Sequence, residues 1–309
     1  LSANGTIFSS DKEGVVPGLL ARWYDERKIL QKNKSEATTP EEKAFWDKRQ
    51  LVKKINLNSL YGAILNPGCR FFDKRIGQST TLSGRAIAKH MDAYVNECIT
   101  GEYDHLGKAI IYGDTDSAYF SAYPMVKEQI EKGELDWNKD FAIKLYDSIA
   151  EKVNESFPDF MKEAFNCPRK NGEIIVGGRE MVASKGLFIT KKRYALLYYD
   201  IEGFRTDTGE SPGKIKAMGL DLKRSDTPKI VQDFLSDVLT GVLTGNGRDE
   251  TLEKVKQFKE EFMLRPAWEK GSPRRANNMT KFQAMEERLG KANMPGHVRA
   301  SMNWNRLRK

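Results

Sequence analysis

Apolar positions recur with helical spacing in two stretches near the start of the chain. The first covers residues 15–31, with Pro17 near its start. The second begins after Thr39, which has the side chain of an N-cap, and Pro40 occupies the first helical position. It runs to about residue 64. Two helices joined by a short polar link predict an antiparallel helical hairpin.

The pattern further along the chain alternates between extended and helical spacing. Extended segments are predicted at residues 1–14, 69–78, 173–183, 187–201 and 214–222. Helices are predicted at residues 80–99, 125–165 with a break near 133–138, 228–242 and 249–263. The Ser/Thr cluster at 79–83 and Thr227 are the predicted caps of two of these helices. The remainder is basic and is predicted to be rich in loops.

The stretch IIYGDTDSAYF, residues 110–120, places two carboxylates at the tip of a predicted hairpin. An apolar run meets Gly113, Asp114 and Asp116 follow, and strand-like residues then resume. Carboxylates on a rigid turn are hard oxygen ligands that suit Mg²⁺ and metal-assisted phosphoryl chemistry. An Asp-Thr-Asp triplet that only decorates a turn is the alternative, because Asp is a common turn residue.

A second cluster of candidate residues lies at the end of the second predicted helix, in KKINLNSLYG, residues 53–62. Lys54, Asn58 and Tyr61 are spaced by four and three, so they share one helical face. Such a face could meet a phosphate, a polar edge and a base-pair plane, with Arg27 of the partner helix adding a second phosphate contact. An ordinary amphipathic helix is the alternative.

A third cluster, KKRYAL at residues 191–196, falls within a predicted strand. Lys191, Lys192 and Arg193 beside Tyr194 could follow a nucleic-acid backbone. The alternative is a solvated edge strand, since lysine is commonly used to protect sheet edges.

Composition narrows the class of protein. A chain of 309 residues with 39% hydrophobic residues is long enough for two or three packed units. The net charge of +8 fits a polyanionic partner. Three dispersed cysteines without a CxxC pair argue against a disulfide framework or zinc site, and the sequence contains no apolar run of membrane length. We therefore expect a soluble protein of the cytoplasm with no membrane partner.

The motifs together resemble those of the family B DNA polymerases. YGDTDS at 112–117 resembles motif C of that family, KKINLNSLYG resembles motif B, and KKRYAL resembles the basic motif that holds the primer–template junction. GLDLKRSDTP at 219–228 resembles the palm-to-thumb transition, and RANNMTK at 275–281 resembles a thumb loop. The motifs occur in the family's order, and the likeness is strongest to replicative enzymes of tailed phages.

The resemblance implies an α+β fold of right-hand polymerase architecture. Its palm would be an antiparallel sheet backed by helices, its fingers an antiparallel helical hairpin, and its thumb mainly helical and incomplete. The implied domains are fingers at residues 15–66, palm at 1–14 and 67–222, and part of the thumb at 223–309. The implied reaction is template-directed addition of a dNTP to a primer 3′-hydroxyl, in an infected bacterial cell.

The same resemblance assigns roles to individual residues. Asp116 and Asp114 would be catalytic metal ligands for two Mg²⁺ ions, or Mn²⁺, with Glu180 as an accessory acid and Lys54 as a catalytic cation. The implied dNTP-binding residues are Arg27, Lys54, Asn58, Tyr61 and Gly62. The implied DNA-binding residues are Lys191, Lys192, Arg193, Tyr194, Arg224, Asn277 and Asn278.

One family element does not occur in this sequence. The D-x-x-S-L-Y-P string of motif A, which supplies a second metal-bridging aspartate, is missing from residues 1–309. We therefore expect it upstream, in an amino-terminal polymerase and exonuclease portion or subunit, and expect the chain to be inactive by itself. Primer–template DNA, dNTPs and that portion are the expected partners, and a sliding clamp could bind through a further tail. A non-catalytic primer–template binding module is the alternative function.

Overall fold

The computed structural model combines helices with antiparallel sheets, which confirms the predicted α+β class. It describes residues 1–9, 11–209, 211–272, 274–290 and 293–308. The chain divides into two compact units, Leu1–Arg179 and Glu180–Lys309, and each is described by itself.

The first unit is mainly helical. Its helices are α1 Val15–Glu36, α2 Pro40–Ile64, α3 Lys74–Thr100, α4 Tyr123–Glu131, α5 Lys139–Phe165 and α6 Arg169–Gly172. Strands β1 Ile110–Asp114 and β2 Ser117–Phe120 pair antiparallel. The helical break predicted near residues 133–138 is confirmed, because α4 ends before it and α5 begins after it.

Helices α1 and α2 form the predicted helical hairpin. The Thr39 hydroxyl oxygen accepts a hydrogen bond from the Glu42 backbone N–H at 3.2 Å, which confirms the predicted cap of α2. Polar side chains join the two helices: Lys34 Nζ lies 2.7 Å from Asp47 Oδ1, and Lys53 pairs with Glu26. Ion pairs of this exposed kind contribute at most about 1 kcal/mol each.

The other helices of this unit pack around a hydrophobic core. Five buried residues form its centre: Val95, Ala122, Ile149, Val153 and Phe157. Side chains of α3 and the acidic hairpin strands pack against them, including Met91, Ile110 and Phe120. Strands β1 and β2 are therefore held in place by packing against this core.

Three predictions for this unit are wrong. Residues 1–9 and 11–14 contain no strand; near their start the chain forms a local turn, in which the Gly5 N–H donates to the Ser2 carbonyl at 2.9 Å. The segment 69–78 is not extended throughout, since α3 already begins at Lys74. Its cap is Asp73, whose Oδ1 accepts from the Arg75 N–H at 2.8 Å, and not the Ser/Thr cluster at 79–83.

The second unit is a sheet followed by helices. Its strands are β3 Met181–Thr190, β4 Arg193–Ile201, β5 Phe204–Arg205 and β6 Lys214–Met218. A short 3₁₀ helix, Asp221–Lys223, leads to α7 Lys229–Thr244, α8 Arg248–Leu264, α9 Ala267–Lys270, α10 Met279–Leu289 and α11 Gly296–Leu307. Strand β4 is central, and it pairs antiparallel with β3, β5 and β6.

The strands of this sheet begin and end at other residues than predicted. The chain turns at residues 191–192, not between 183 and 187, because Thr190 pairs with Arg193. Gly186 therefore lies inside β3, where a Cβ atom would come within 2.9 Å of both Leu196 and Phe188 side chains. Glycine at this position makes room for cross-strand packing and does not mark a turn.

Two further predictions are wrong in the second unit. Helix α7 begins at Lys229 with Pro228 at its N-cap position and without a side-chain cap, so Thr227 does not cap it. The region after residue 264 is mainly helical, not rich in loops. Its helices α10 and α11 share a small core of Met294, Val298 and Met302, against which Met279, Phe282 and Met285 pack.

Among the described residues, no helix combines the length and apolar character that crossing a membrane requires.

Candidate active site

The acidic hairpin forms as predicted. Asp114 pairs with Ser117 at the end of the β1–β2 ladder, which leaves Thr115 and Asp116 as a two-residue turn. Thr115 has φ of 61°, a left-handed conformation that is costly for a β-branched residue. The turn is therefore held in a strained backbone geometry by the strands on either side.

Hydrogen bonds fix the first carboxylate and its peptide group. Asp114 Oδ1 accepts from the Thr115 hydroxyl at 3.1 Å, and the Asp114 carbonyl accepts from the Asp116 N–H at 2.7 Å and the Ser117 hydroxyl at 3.1 Å. Asp114 is half-buried, whereas Asp116 is exposed at the tip. The turn thus presents Asp116 to solvent on a backbone that is internally bonded.

A third carboxylate, which the sequence analysis missed, lies under this hairpin. Asp92 of α3 has its Oδ2 atom 3.6 Å from the position that a Cβ of Gly113 would occupy. Its Oδ1 atom is buried and has no hydrogen-bond partner in the part of the chain that the structure describes. Burial raises the pKa of Asp92 to about 6. None of the motifs of the sequence analysis contains Asp92, which lies within the helix predicted at residues 80–99.

These carboxylates have the right chemistry for a metal ion but do not form a three-ligand site within the described residues. Oxygen ligands of this type suit Mg²⁺. Across the described ranges, however, no three His, Cys, Asp or Glu side chains form a group that could hold a metal ion. Glu180 is exposed in the second unit, where its Oε1 lies 2.8 Å from Lys216 Nζ. Its predicted role as an accessory ligand therefore stays a prediction.

The residues predicted to bind a nucleotide lie on α2 as expected. Lys54 and Asn58 are exposed, while Tyr61 is half-buried and donates its hydroxyl proton to the Gly77 carbonyl at 3.4 Å. Gly62 faces open space, because nothing lies within 4 Å of the place of a Cβ atom. Lys54, Asn58 and Gly62 of this face are therefore open to solvent.

Arg27 and Lys53 belong to the inner side of the same helical hairpin. Arg27 is half-buried, and its Nε donates to Gln50 Oε1 at 3.2 Å. Lys53 pairs with Glu26 of α1, so it differs from its exposed neighbour Lys54. The structure thus separates a lysine that joins the two helices from one that faces solvent.

The basic cluster of the second unit lies at a turn, not within a strand as predicted. Lys191 and Lys192 connect β3 to β4, and Arg193 begins β4; all three are exposed. Lys192 has φ of 61°, and a Cβ on Gly219 would lie 2.0 Å from the Lys192 carbonyl oxygen. The close passage of residue 219 beside the turn therefore requires glycine.

Tyr194 is the exception among the predicted DNA-binding residues. Its side chain is 6% exposed, and its ring lies 5.7 Å from that of Phe188. The ring packs beneath the basic turn, and its predicted contact with DNA stays a prediction. Asn277 and Asn278 are exposed just before α10, and Arg224 forms a two-bond ion pair with Asp226.

Comparison with known proteins identifies the family. The family model described as DNA polymerase family B matches residues 2–265. The chain belongs to DNA polymerase family B. The matched range of this family B chain contains the acidic hairpin, the Lys54 face, the basic turn and Arg224, whereas Asn277 and Asn278 lie beyond it.

Three DNA polymerases illustrate the similarity of this chain to known proteins. DNA polymerase 1 of Pyrococcus abyssi is 27% identical over 256 residues, which cover 83% of this chain and 27% of that protein. The DNA-directed DNA polymerase of Enterobacteria phage T4 is 29% identical over 282 residues, with coverages of 83% and 29%. That of Escherichia phage RB69 is 32% identical over 205 residues, with coverages of 63% and 22%. The chain thus spans 22% to 29% of the length of these relatives.

A solved structure was also compared with this family B chain. The family B DNA polymerase from Pyrobaculum calidifontis aligns with a TM-score of 0.47 and 18% sequence identity. The alignment covers 93% of this chain and 32% of that one.

Proposed function

We propose that this chain supplies the nucleotidyl-transfer centre of a template-directed DNA polymerase that extends a primer with dNTPs. The observation that carries the proposal is the acidic hairpin, in which Asp116 is exposed on an internally bonded turn beside Asp114. Family B membership supports DNA synthesis as the activity of the family. Because the chain spans less than a third of its relatives, its own activity is part of the proposal.

The proposed domains are those that the resemblance implies, and the palm takes elements from both units. Residues 15–66, with α1 and α2, would be the fingers, and residues 223–309, with α7 to α11, part of the thumb. The palm would comprise residues 1–14 and 67–222, including both sheets. The exposed Lys54 face, the acidic hairpin and the basic turn would then belong to fingers and palm.

The side chains have distinct proposed tasks. Two Mg²⁺ ions, when bound, would stabilise the attacking and leaving oxygens of phosphoryl transfer, and Asp114 and Asp116 would hold them with Glu180 as an accessory acid. Lys54 would neutralise the triphosphate and give a proton to the leaving pyrophosphate, with Arg27 assisting. Asn58 and Tyr61 would contact the nascent base pair, and Gly62 would leave space for it.

The DNA would be held by exposed cations and amides of the second unit. Lys191, Lys192 and Arg193 would contact the primer backbone from the β3–β4 turn, supported by the buried ring of Tyr194. Arg224, Asn277 and Asn278 would contact the duplex behind the junction. Each of these side chains except Tyr194 is exposed.

We also propose that the metal site is completed by a carboxylate from outside residues 1–309. The support is that no three potential ligands come together in the described ranges, and that the D-x-x-S-L-Y-P string does not occur in this sequence. An amino-terminal polymerase and exonuclease portion, on the same or another chain, would supply it. The chain alone would then be inactive or nearly so.

Primer extension tests this proposal. The chain is assayed alone, and together with an amino-terminal portion that carries a D-x-x-S-L-Y-P motif, in Mg²⁺ with all four dNTPs. Extension is expected only in the combined reaction, and Asp116→Asn should reduce it at least about a thousand-fold. Asp104→Asn, which removes an exposed acid from the loop before β1, is the matched control and should leave the rate unchanged. Robust Asp116-dependent extension by the chain alone would contradict the need for a completing carboxylate.

A non-catalytic primer–template binding module is the second candidate. It is consistent with the described residues, among which no three potential ligands come together. Titration of Mg²⁺ and dNTP into the chain bound to primer–template separates the two functions. A binding module should show the same DNA affinity with and without both ligands, whereas a polymerase centre should bind the duplex more tightly when they are added.

The setting of the reaction is also proposed. Similarity to the polymerases of phages T4 and RB69 supports a replicative enzyme of the phage type, acting in the cytoplasm of an infected bacterium. A sliding clamp would be a further partner of the complete enzyme. Processivity measured with and without a clamp tests that part.

A further inference from the structure

Five charged side chains of alternating sign form a chain of ion pairs across the surface of the second unit. We call Arg193, Asp221, Arg224, Asp226 and Arg274 the arginine–aspartate ladder. Arg193 Nη2 lies 3.9 Å from Asp221 Oδ2, and Asp221 Oδ1 lies 3.7 Å from Arg224 Nε. The ladder therefore links the start of β4, the 3₁₀ helix and the segment before α10.

Asp226 is the best-bonded member of the ladder. Its Oδ1 accepts from Arg224 Nε and its Oδ2 from Arg224 Nη2, both at 2.9 Å, and Oδ2 also accepts from Arg274 Nη1 at 2.8 Å. The hydrogen bond from Arg224 lowers the pKa of Asp226 to about 2. The carboxylate thus stays ionised and holds two guanidinium groups at a fixed separation.

The positive groups lie outside and the negative group lies beneath them. The side chain of Asp226 is 21% exposed, compared with 57% for Arg224 and 52% for Arg274. With Ser225 and Arg275, these residues line a cavity of about 400 Å³. Three arginines and one aspartate give this cavity a net positive charge.

The geometry leaves arginine edges for a ligand. The Nη1 of Arg224 and the Nε–Nη2 edge of Arg274 make no bond to Asp226. A planar guanidinium edge matches the oxygens of a phosphate group, and the match is best when the side chain is already ordered. The backbone beneath is fixed too, since Gln232 Nε2 donates to the carbonyls of Arg224 and Thr227 at 2.9 Å each.

We infer that Asp226 is a positioning residue that arranges Arg224 and Arg274 as a fork for a phosphate group. A phosphodiester of duplex DNA is the source that the proposed function supplies, and to that extent the inference rests on it. Free pyrophosphate shares the same chemistry. The basic turn beside Arg193 continues the positive surface at the other end of the ladder, which favours an extended polyanion.

The sign of one mutational effect tests the inference. If Asp226 only adds negative charge, Asp226→Asn should tighten the binding of a polyanion. If it positions the two arginines, the same change should weaken binding although the net charge rises by one. We expect affinity for a labelled primer–template duplex, measured by fluorescence anisotropy, to fall about five-fold. The slope of log affinity against log salt should fall by about one.

Asp233→Asn is the matched control. Asp233 is an exposed carboxylate of α7 that pairs with Lys229 at 2.5 Å, so its removal changes net charge equally without touching the fork. Its duplex affinity should stay equal or increase slightly. Asp226→Glu should retain most of the affinity, and Arg274→Gln, at a half-exposed side chain, should lower it without unfolding the protein. Circular dichroism and thermal unfolding confirm that each variant is folded.

A second arm identifies the source of the phosphate. Calorimetric titration of inorganic pyrophosphate into the wild-type chain and Asp226→Asn, at constant ionic strength, gives its affinity directly. A loss of duplex affinity assigns the fork to the DNA backbone, and a loss of pyrophosphate affinity alone assigns it to a free phosphate. If Asp226→Asn weakens neither ligand, or if the wild type binds neither, the inference is wrong.

The two proposals fail in different ways. If the wild-type chain does not bind duplex but binds pyrophosphate with an affinity that Asp226→Asn lowers, the proposed function is contradicted and the fork is left in place. If Asp226→Asn binds duplex as tightly as the wild type and its pyrophosphate affinity is also unchanged, the fork is contradicted and the proposed function is left in place.

Discussion

The helical hairpin α1–α2 and the block formed by α3, α4, α5, β1 and β2 belong to one unit but are stabilised in different ways. None of the residues of α1 is buried, and α2 buries only Ile64. In contrast, α3 and α5 each bury six residues. The helical hairpin α1–α2 therefore depends on capping, helix propensity and ion pairs, whereas the block depends on a hydrophobic core.

This difference matches the tasks proposed for the two regions. Elements with few buried contacts open at low free energy, and their side chains can follow a ligand that enters and leaves. Metal ligands must instead be held within a fraction of an ångström by a packed support. The exposed Lys54 face lies on the helical hairpin, which has few buried contacts. The acidic hairpin belongs to the block and is supported by its hydrophobic core.

Truncation of one phenylalanine in each region should give the largest difference in the free energy of unfolding. Phe157→Ala in the block removes a side chain that is 2% exposed, and should lower the free energy of unfolding by about 3–5 kcal/mol. Phe45→Ala in the hairpin removes one that is 51% exposed, and should cost less than about 1 kcal/mol. Urea unfolding followed by circular dichroism measures both. Equal losses of stability in the two variants would contradict the claim that the two regions are stabilised differently.

Two glycines should respond with opposite signs. A Cβ on Gly107 would lie 2.1 Å from the side chain of buried Asn96, which donates to the Glu102 carbonyl at 2.8 Å. Gly107→Ala should therefore destabilise the block by about 2 kcal/mol. Gly62→Ala, at an open position of α2, should stabilise the protein by about 0.5 kcal/mol. Thermal and urea unfolding of both variants check these signs, and stabilisation by Gly107→Ala would refute the packing argument.

Adjacent lysines should separate ligand binding from helix pairing. Lys54 is exposed, and Lys54→Ala should weaken dNTP affinity of the complemented polymerase about ten-fold while leaving stability unchanged. Lys53 pairs with Glu26, and Lys53→Ala should leave dNTP affinity within about two-fold while lowering stability slightly. Single-nucleotide incorporation at varied dNTP concentration measures the affinity. A larger loss of dNTP affinity in Lys53→Ala than in Lys54→Ala would reverse the roles assigned to the two lysines.

Two aspartates should give opposite pH dependences of stability. Burial raises the pKa of Asp92 to about 6 from 3.8, so the folded state binds the extra proton and stability falls as pH rises from about 4 to 6. Asp92→Asn should thus stabilise the metal-free protein at pH 8 by about 1 kcal/mol, a value reduced for solvent screening at this half-exposed site.

The hydrogen bond from Lys34 lowers the pKa of Asp47, so its contribution to stability is present above the ordinary pKa of 3.8 and is lost as pH falls through the folded-state pKa. Asp47→Asn should therefore destabilise the protein slightly at pH 8, against the gain expected for Asp92→Asn. Urea unfolding at pH 2, 3, 4, 6 and 8 measures both dependences, because the Asp47 contribution changes only below about pH 4. Equal signs for the two variants would contradict the burial argument.

Local signals in the sequence predicted those elements whose structure depends on near neighbours. The cap and proline at the start of α2, the break before α5 and the turn at Asp114–Asp116 need only residues a few positions apart. The shared face of Lys54, Asn58 and Tyr61 follows from helical periodicity in the same way. The motifs of the resemblance were also local strings, and the family they indicated is the one that the family model matches.

Elements that depend on distant partners could not be predicted in this way. The two extended segments predicted at 173–183 and 187–201 left out Gly186, which lies inside β3, where it makes room for Leu196 across the sheet. The basic composition of the region after residue 264 predicted loops. Helices α10 and α11 form there because their methionines meet in a shared core. In both cases the deciding contact joins residues that local spacing does not relate.

The sequence by itself therefore determined the helical hairpin, the acidic turn and the family to which the chain belongs, because each depends on short-range spacing. Only the tertiary structure decided that Asp92 lies beneath Gly113, that Gly219 passes the Lys192 carbonyl, and that Asp226 joins two arginines 50 positions apart in the chain. The physical reason is that burial and ion pairing depend on which surfaces meet in space.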